Sequence, residues 1–258
     1  MKIDDVMVTK TIFNRFAKEF PTCFDVDVAI AGGGPAGLVA AKTLAEAGKN
    51  VVVFERKLSI GGGMWGGGMM FPVIVLQKES KHILERVGIK VTDEGDGYFS
   101  ADSIETVVKL TASAIDAKAK FYNAISVEDV LVKDNSVNGF VINWSAVDAA
   151  GLHVDPLTIR AKVCIDATGH PAEVCHIAMK KIRPTSGPLS NKQAFIEGSM
   201  SAMTGEQAVV NNTTEVYPGL YIAGMCANAV FGAHRMGPIF GGMLLSGEKV
   251  AKLILKKI

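Results

Sequence analysis

An α/β fold with a parallel central sheet and a dinucleotide site is predicted by three stretches of this 258-residue chain. In the first, Asp25-Val26-Asp27-Val28-Ala29-Ile30-Ala31 reads as a buried strand, and Pro35 to Ala41 as the start of an Ala- and Leu-rich helix. Between them lies Gly32-x-Gly34-x-x-Gly37. Gly32 permits the tight turn, Gly34 lets the backbone approach a pyrophosphate, and Gly37 lets the helix pack closely on the strand. The helix N-terminus then offers unpaired N–H groups to an anion. In the second stretch, after Gly48, Asn50-Val51-Val52-Val53-Phe54-Glu55 forms another buried strand ending in an acid. Glu55 lies about twenty residues past the glycines, where a carboxylate accepts both hydrogens of an adenosine ribose diol. The third stretch, Val163-Cys164-Ile165-Asp166-Ala167-Thr168-Gly169, is a further buried strand closing in Ala-Thr-Gly.

The length suits a single domain over 1–258 with a large core. The 48% hydrophobic content and a mean hydropathy of +0.26 fit a sheet buried on both faces, or a subunit that hides more surface in an oligomer. A net charge of +1 gives no reason to expect nucleic acid or an anionic membrane as a partner. Cys23, Cys164, Cys175 and Cys226 lack paired metal-type spacing and suit a reducing compartment. No apolar run is long enough to cross a bilayer, and Met1 to Phe20 lacks a signal-peptide core, so a cytoplasmic location is expected.

In chain order, Ile12, Phe13, Phe16 and Phe20 predict an amphipathic helix over Thr11 to Phe20, packed on the sheet or on a neighbouring subunit. Six glycines within residues 61–72, interleaved with Met64, Trp65, Met69, Met70 and Phe71, predict a loop folded over the nucleotide or a subunit contact. Gln77 to Val87 reads as a helix closed by Gly88, and Ile89 to Val91 as a strand. Ser103 to Lys118 reads as a helix with Ile104, Val108, Thr111 and Ile115 along one face and Ser103 as its cap. From Phe121 to Asn143 the pattern turns to an antiparallel meander around the Asp134-Asn135 turn. Such a meander inserted in a Rossmann-like sheet is typical of two-dinucleotide-binding flavoprotein folds. His170-Pro171-Ala172-Glu173 opens a helix. The Gly- and Pro-rich segment 181–214 reads as one long loop, functional or mobile. Gly219 to Met225 is the last strand, and Pro238 to Leu255 the last helix.

Combined, distant pieces carry a more specific resemblance. These are the glycine fingerprint, Glu55-Arg56, Gly61-Gly62-Gly63-Met64-Trp65-Gly66-Gly67-Gly68, His153-Val154-Asp155-Pro156, Ala167-Thr168-Gly169-His170, and Gly224-Met225 through Arg235-Met236-Gly237-Pro238. Over nearly its whole length the chain resembles the thiazole synthases of eukaryotic and archaeal thiamine biosynthesis. The resemblance implies a transferase for which NAD is a substrate. NAD loses nicotinamide and the exposed ribose carbon rearranges to a ketone. Glycine then condenses, sulfur is added, and cyclisation gives an ADP-thiazole carboxylate. Matching positions imply that Gly32, Gly34, Ala36, Gly37, Glu55, Arg56, Gly63, Val127, His153, Val154, Asp155 and Met225 hold the nucleotide. Arg235 matches the residue that binds the glycine carboxylate, a task for a planar bidentate cation. Asp155 and His170 match ligands of Fe(II), which accepts such N and O donors and keeps open positions.

Related eukaryotic enzymes carry a cysteine where this chain has His153, and surrender its sulfur in a single turnover. An imidazole has no sulfur to give, so the resemblance implies repeated turnover with free sulfide. It also suggests a homo-octamer. The glycine fingerprint alone would equally suit an FAD-dependent oxidoreductase or a non-catalytic NAD-binding protein. Three cysteines, Cys164, Cys175 and Cys226, stand as alternative sulfur donors.

Overall fold

The computed structural model describes residues 2–190 and 195–258. Helix α1 (Asp5–Glu19) starts well before Thr11, because Asp4 accepts a hydrogen bond from the Met7 N–H at 2.9 Å and supplies the N-cap. Within the single chain it buries none of its residues. Its packing on the sheet passes through Phe16, and through Phe20 in the 3₁₀ turn that follows, whose rings meet Tyr122.

Strand β1 (Asp25–Ala31), helix α2 (Pro35–Glu46) and strand β2 (Val51–Glu55) form the expected βαβ unit, with β1 and β2 parallel. Apolar residues cover nearly every position of all three, as a sheet with two covered faces requires. The glycine-rich stretch then makes a 3₁₀ turn at Gly62–Gly66, with Met64 buried.

Next come β3 (Val73–Gln77), α3 (Lys78–Glu85), β4 (Thr92–Gly95) and β5 (Tyr98–Asp102). The three strands form a separate antiparallel sheet, ordered β3-β5-β4. Two expectations change here: residues 73–77 are extended, and the strand placed at Ile89 to Val91 begins instead at Thr92. Strand β4 is exposed along its whole length, so no apolar alternation marks it. Its pairing is set by Asp96 and Gly97, both with positive φ, which make a tight hairpin turn.

Helix α4 (Ser103–Asp116) is capped by Asp102, which accepts from the Glu105 N–H at 2.7 Å, and not by Ser103. Its buried face is Val107, Leu110 and Ala114, whereas Ile104, Val108 and Ile115 are exposed in the single chain. Both sets have helical spacing, and small Ala114 fits where α4 approaches the sheet. Strand β6 (Lys120–Asn123) joins the main sheet beside β2, so the meander proper begins later, with β7 (Ile125–Lys133) and β8 (Ser136–Trp144). After the short α5 (Ser145–Ala149), β9 (Leu157–Asp166) completes the meander against β8 and runs parallel to β1.

The remaining elements are α6 (Glu173–Ile182), α7 (Ala202–Asn212), β10 (Glu215–Tyr217), β11 (Leu220–Ile222), α8 (Met225–Phe231) and α9 (Gly241–Leu255). The main sheet runs β10-β11-β9-β1-β2-β6 and is parallel from β11 to β6. The segment read as one loop over 181–214 therefore contains α7, and residues 191–194 within it lie outside the described residues. The last strand is shorter than expected, because Met225 already belongs to α8. No helix among the described residues is long and apolar enough to cross a membrane.

Helix α7 earns its place through Glu206, a buried carboxylate that accepts the Gly242 N–H at the start of α9. Its Oε2 is buried without a hydrogen-bond partner among the described residues. Burial raises its pKa, against the opposing hydrogen bonds of Gly242 and Gln77. A raised folded-state value means that stability present at acid pH is lost as pH climbs through it. Glu206→Gln keeps an acceptor for Gly242 and cannot ionise. In thermal melts across pH it should match the wild type at acid pH and exceed it increasingly toward neutral and alkaline pH. Parallel curves for the two proteins would contradict this.

Candidate active site

The C-terminal ends of the parallel strands open onto one cavity of about 400 Å³, the position where open α/β sheets bind ligands. Gly32, Gly34, Ala36, Glu55, Arg56, Gly63, Val127, His170, Met225 and Arg235 all line it. Gly37 sits one layer below: a Cβ there would lie 2.1 Å from the Gly32 carbonyl oxygen. At Gly34 an added Cβ would meet nothing within 4 Å, so that position faces open space.

Glu55 is fixed before any ligand arrives. One carboxylate oxygen accepts the Gly33 N–H at 2.9 Å and the other the Lys57 N–H at 2.9 Å, and the residue is only 6% exposed. Each oxygen keeps a second lone pair, the requirement for holding a ribose diol. The glycine-rich loop folds onto the fingerprint turn, as expected, through the Gly61 N–H to Gly33 carbonyl bond at 2.8 Å. Trp65 is tied down by its own bond to the Ile60 carbonyl at 2.6 Å.

The Ala-Thr-Gly end of β9 is held by Asp166. Its Oδ1 accepts from the Thr168 N–H and hydroxyl at 3.0 and 2.7 Å, and its Oδ2 from the Cys175 N–H at 2.8 Å. The Thr168 hydroxyl oxygen in turn accepts the Glu173 N–H at 2.8 Å, which starts α6 beside the cavity. Glu173 pairs with Arg56 across the cavity wall. Desolvation raises the Glu173 carboxyl, and Arg56 pulls it back. Sequence reasoning treated Glu173 only as a helix-opening residue; its position three residues after His170 was the available signal.

Beneath this wall, Asp166, Cys175 and Cys226 bring one ligand atom each within 4.8 Å of one another, all buried. Burial pushes the Cys175 thiol up to about 12 and raises Cys226 well above the usual thiol range. Cys164 is likewise buried and raised, and Cys23 is pushed to about 11. A buried, protonated thiol is a poor nucleophile, so none of the four has the environment of a sulfur donor.

His153, Val154 and Asp155 are placed differently from the other expected residues. They lie on an exposed loop between α5 and β9, and none lines the cavity. The single chain therefore does not bring Asp155 to His170. His170 stands at the cavity with its side chain 46% exposed. Its Nδ1 lies 2.8 Å from both carboxylate oxygens of Glu197, and Glu197 Oε2 lies 3.8 Å from Arg235 Nε. Glu197 had no sequence signal, being one acid in a Gly- and Pro-rich stretch. His234 bonds the Ser199 carbonyl at 2.6 Å and does not line the cavity, whereas His176 stacks on Phe195 and is structural.

This arrangement is shared by known proteins. The Thi4 family model matches residues 9–240. A thiamine thiazole synthase of Methanothrix thermoacetophila is 54% identical over 260 aligned positions, covering all of this chain and 98% of that protein. One from Methanothermobacter thermautotrophicus is 50% identical, with both chains fully covered. The crystal structure of Thermovibrio ammonificans THI4 superposes with a TM-score of 0.94 at 42% identity, covering all of this chain and 99% of that one. A match of this extent in sequence and in fold, with the glycine fingerprint and Arg235 facing one cavity, means that the chain belongs to the Thi4 family.

Proposed function

We propose that this chain is a thiamine thiazole synthase that builds ADP-thiazole carboxylate from NAD, glycine and free sulfide, with Fe(II). The observation that carries this reading is the single cavity with a dinucleotide turn and Glu55 at one side and Arg235 and His170 at another. In this reading Glu55 holds the adenosine ribose, and Gly34 with the N-terminus of α2 faces the pyrophosphate. Arg56, Gly63, Val127 and Met225 enclose the part of the nucleotide that reacts. Arg235 binds the glycine carboxylate and orients its amine toward the ketone left after nicotinamide departs.

The donor types present fit a ferrous ion. His170 Nε2 has no hydrogen-bond partner among the described residues, and Asp155 is an exposed carboxylate on its loop. When bound, Fe(II) would supply a Lewis-acid site with open positions where sulfide can be held. Asp155 of one copy would complete the donor set with His170 of another. The exposed Ile12 and Phe13 of α1, and Met69, Met70 and Phe71 of the glycine loop, offer apolar faces for such an assembly, an octamer in this reading. His153 contributes no sulfur, so sulfide must come from solution.

The test is to incubate metal-free protein with NAD, glycine, sulfide and Fe(II) and follow products by mass spectrometry. An adenylated thiazole and free nicotinamide are expected. Intact NAD with no such product would refute the proposal.

A further inference from the structure

We propose that Glu197 is the positioning residue of the metal-binding histidine. Its carboxylate accepts the Nδ1–H of His170, locks the ring in that tautomer, and leaves the Nε2 lone pair for the metal. This inference rests on His170 being a ligand, as proposed above.

The placement of Glu197 is specific. Both its oxygens lie 2.8 Å from Nδ1, and its side chain is 13% exposed against 46% for His170. The short stretch that carries it is pinned on both sides. The Phe195 N–H donates to the Ala229 carbonyl at 2.9 Å, and the Gly198 N–H to the Ala233 carbonyl at 3.0 Å. The Phe195 ring also stacks on His176, at 4.0 Å between centroids. A carboxylate held this way is not a surface side chain that happens to meet a histidine. A neutral imidazole with its proton fixed on Nδ1 can ligate only through Nε2, and an anionic acceptor raises the basicity of that nitrogen. Arg235, 3.8 Å from the same carboxylate, keeps it charged and aligned, so one acid spans the metal ligand and the glycine-binding arginine.

The test is a Co(II) titration of the full chain, read by ligand-field absorption, for the wild type, Glu197→Ala, Glu197→Gln and His170→Ala. Glu197→Ala should weaken Co(II) binding about 10- to 100-fold and alter the spectrum. Glu197→Gln retains an acceptor oxygen for Nδ1–H and should restore most of the affinity. Should the alanine variant not fold, Glu197→Leu fills the same space without an acceptor and takes its place. Wild-type affinity and spectrum in these variants, with binding weakened in His170→Ala, would overturn the role of Glu197 alone. Wild-type binding in His170→Ala as well would remove the histidine as a ligand, and the role of Glu197 with it.

Discussion

Gly34→Ala should fold as well as the wild type and yet bind NAD about 10- to 100-fold more weakly, which corresponds to ~1–3 kcal/mol for a methyl group forced into a filled site. The position has φ −76° and ψ −174°, which any residue adopts, and the new Cβ meets no protein atom within 4 Å. As the N-cap of α2 it gives no side-chain hydrogen bond, so stability falls only slightly. Any large effect must therefore come from the ligand. Gly37→Ala is the contrasting case, because its Cβ would lie 2.1 Å from a backbone carbonyl that cannot rotate away. That variant should lose stability and NAD binding together. Thermal melts and NAD titrations on both proteins separate the two causes. Normal NAD binding by Gly34→Ala would show that no pyrophosphate approaches this turn.

Arg235→Ala should lower kcat/KM for glycine by roughly 10²- to 10³-fold while leaving NAD binding intact. Two charge-assisted hydrogen bonds to a carboxylate, each about 1.5–3 kcal/mol, set that scale. Arg235→Lys keeps the charge and loses the planar fork, so it should recover only a small part. The guanidinium is 59% exposed and touches one acid, Glu197, at 3.8 Å, so the fold depends little on it. Glycine saturation curves at saturating NAD give the answer. A loss confined to NAD binding would place Arg235 on the nucleotide instead.

Much of this fold is legible in the sequence, because its central strands are buried on both faces. Val28 to Ala31, Val51 to Phe54 and Val163 to Ile165 are apolar runs that admit few other assignments. The nucleotide half of the site was legible for the same reason. Glu55 follows one of those strands, and the glycines carry their steric requirement in their identity. Elements whose order comes from tertiary contacts were harder to read. Strand β4 has no buried residue, and the Asp96-Gly97 dipeptide was its only local mark. Helix α7 contains Gly205, a poor helix former, because its backbone passes close to His234 and Arg235. On α4 two apolar stripes compete, and only the packing on the sheet selects Val107, Leu110 and Ala114. Glu197 acquires meaning only when the fold sets it against His170, 27 positions away. Asp155 remains exposed on its loop, since one chain alone provides no partner for it at the cavity.

The source of the sulfur is the point on which the account turns. The direct measurement is the intact mass of the polypeptide before and after turnover with NAD, glycine, Fe(II) and isotopically labelled sulfide, with product counted per chain. The account predicts an unchanged protein mass, label in the thiazole, and many products from each chain. One product per chain, unlabelled, with the protein lighter by one sulfur atom, would contradict it.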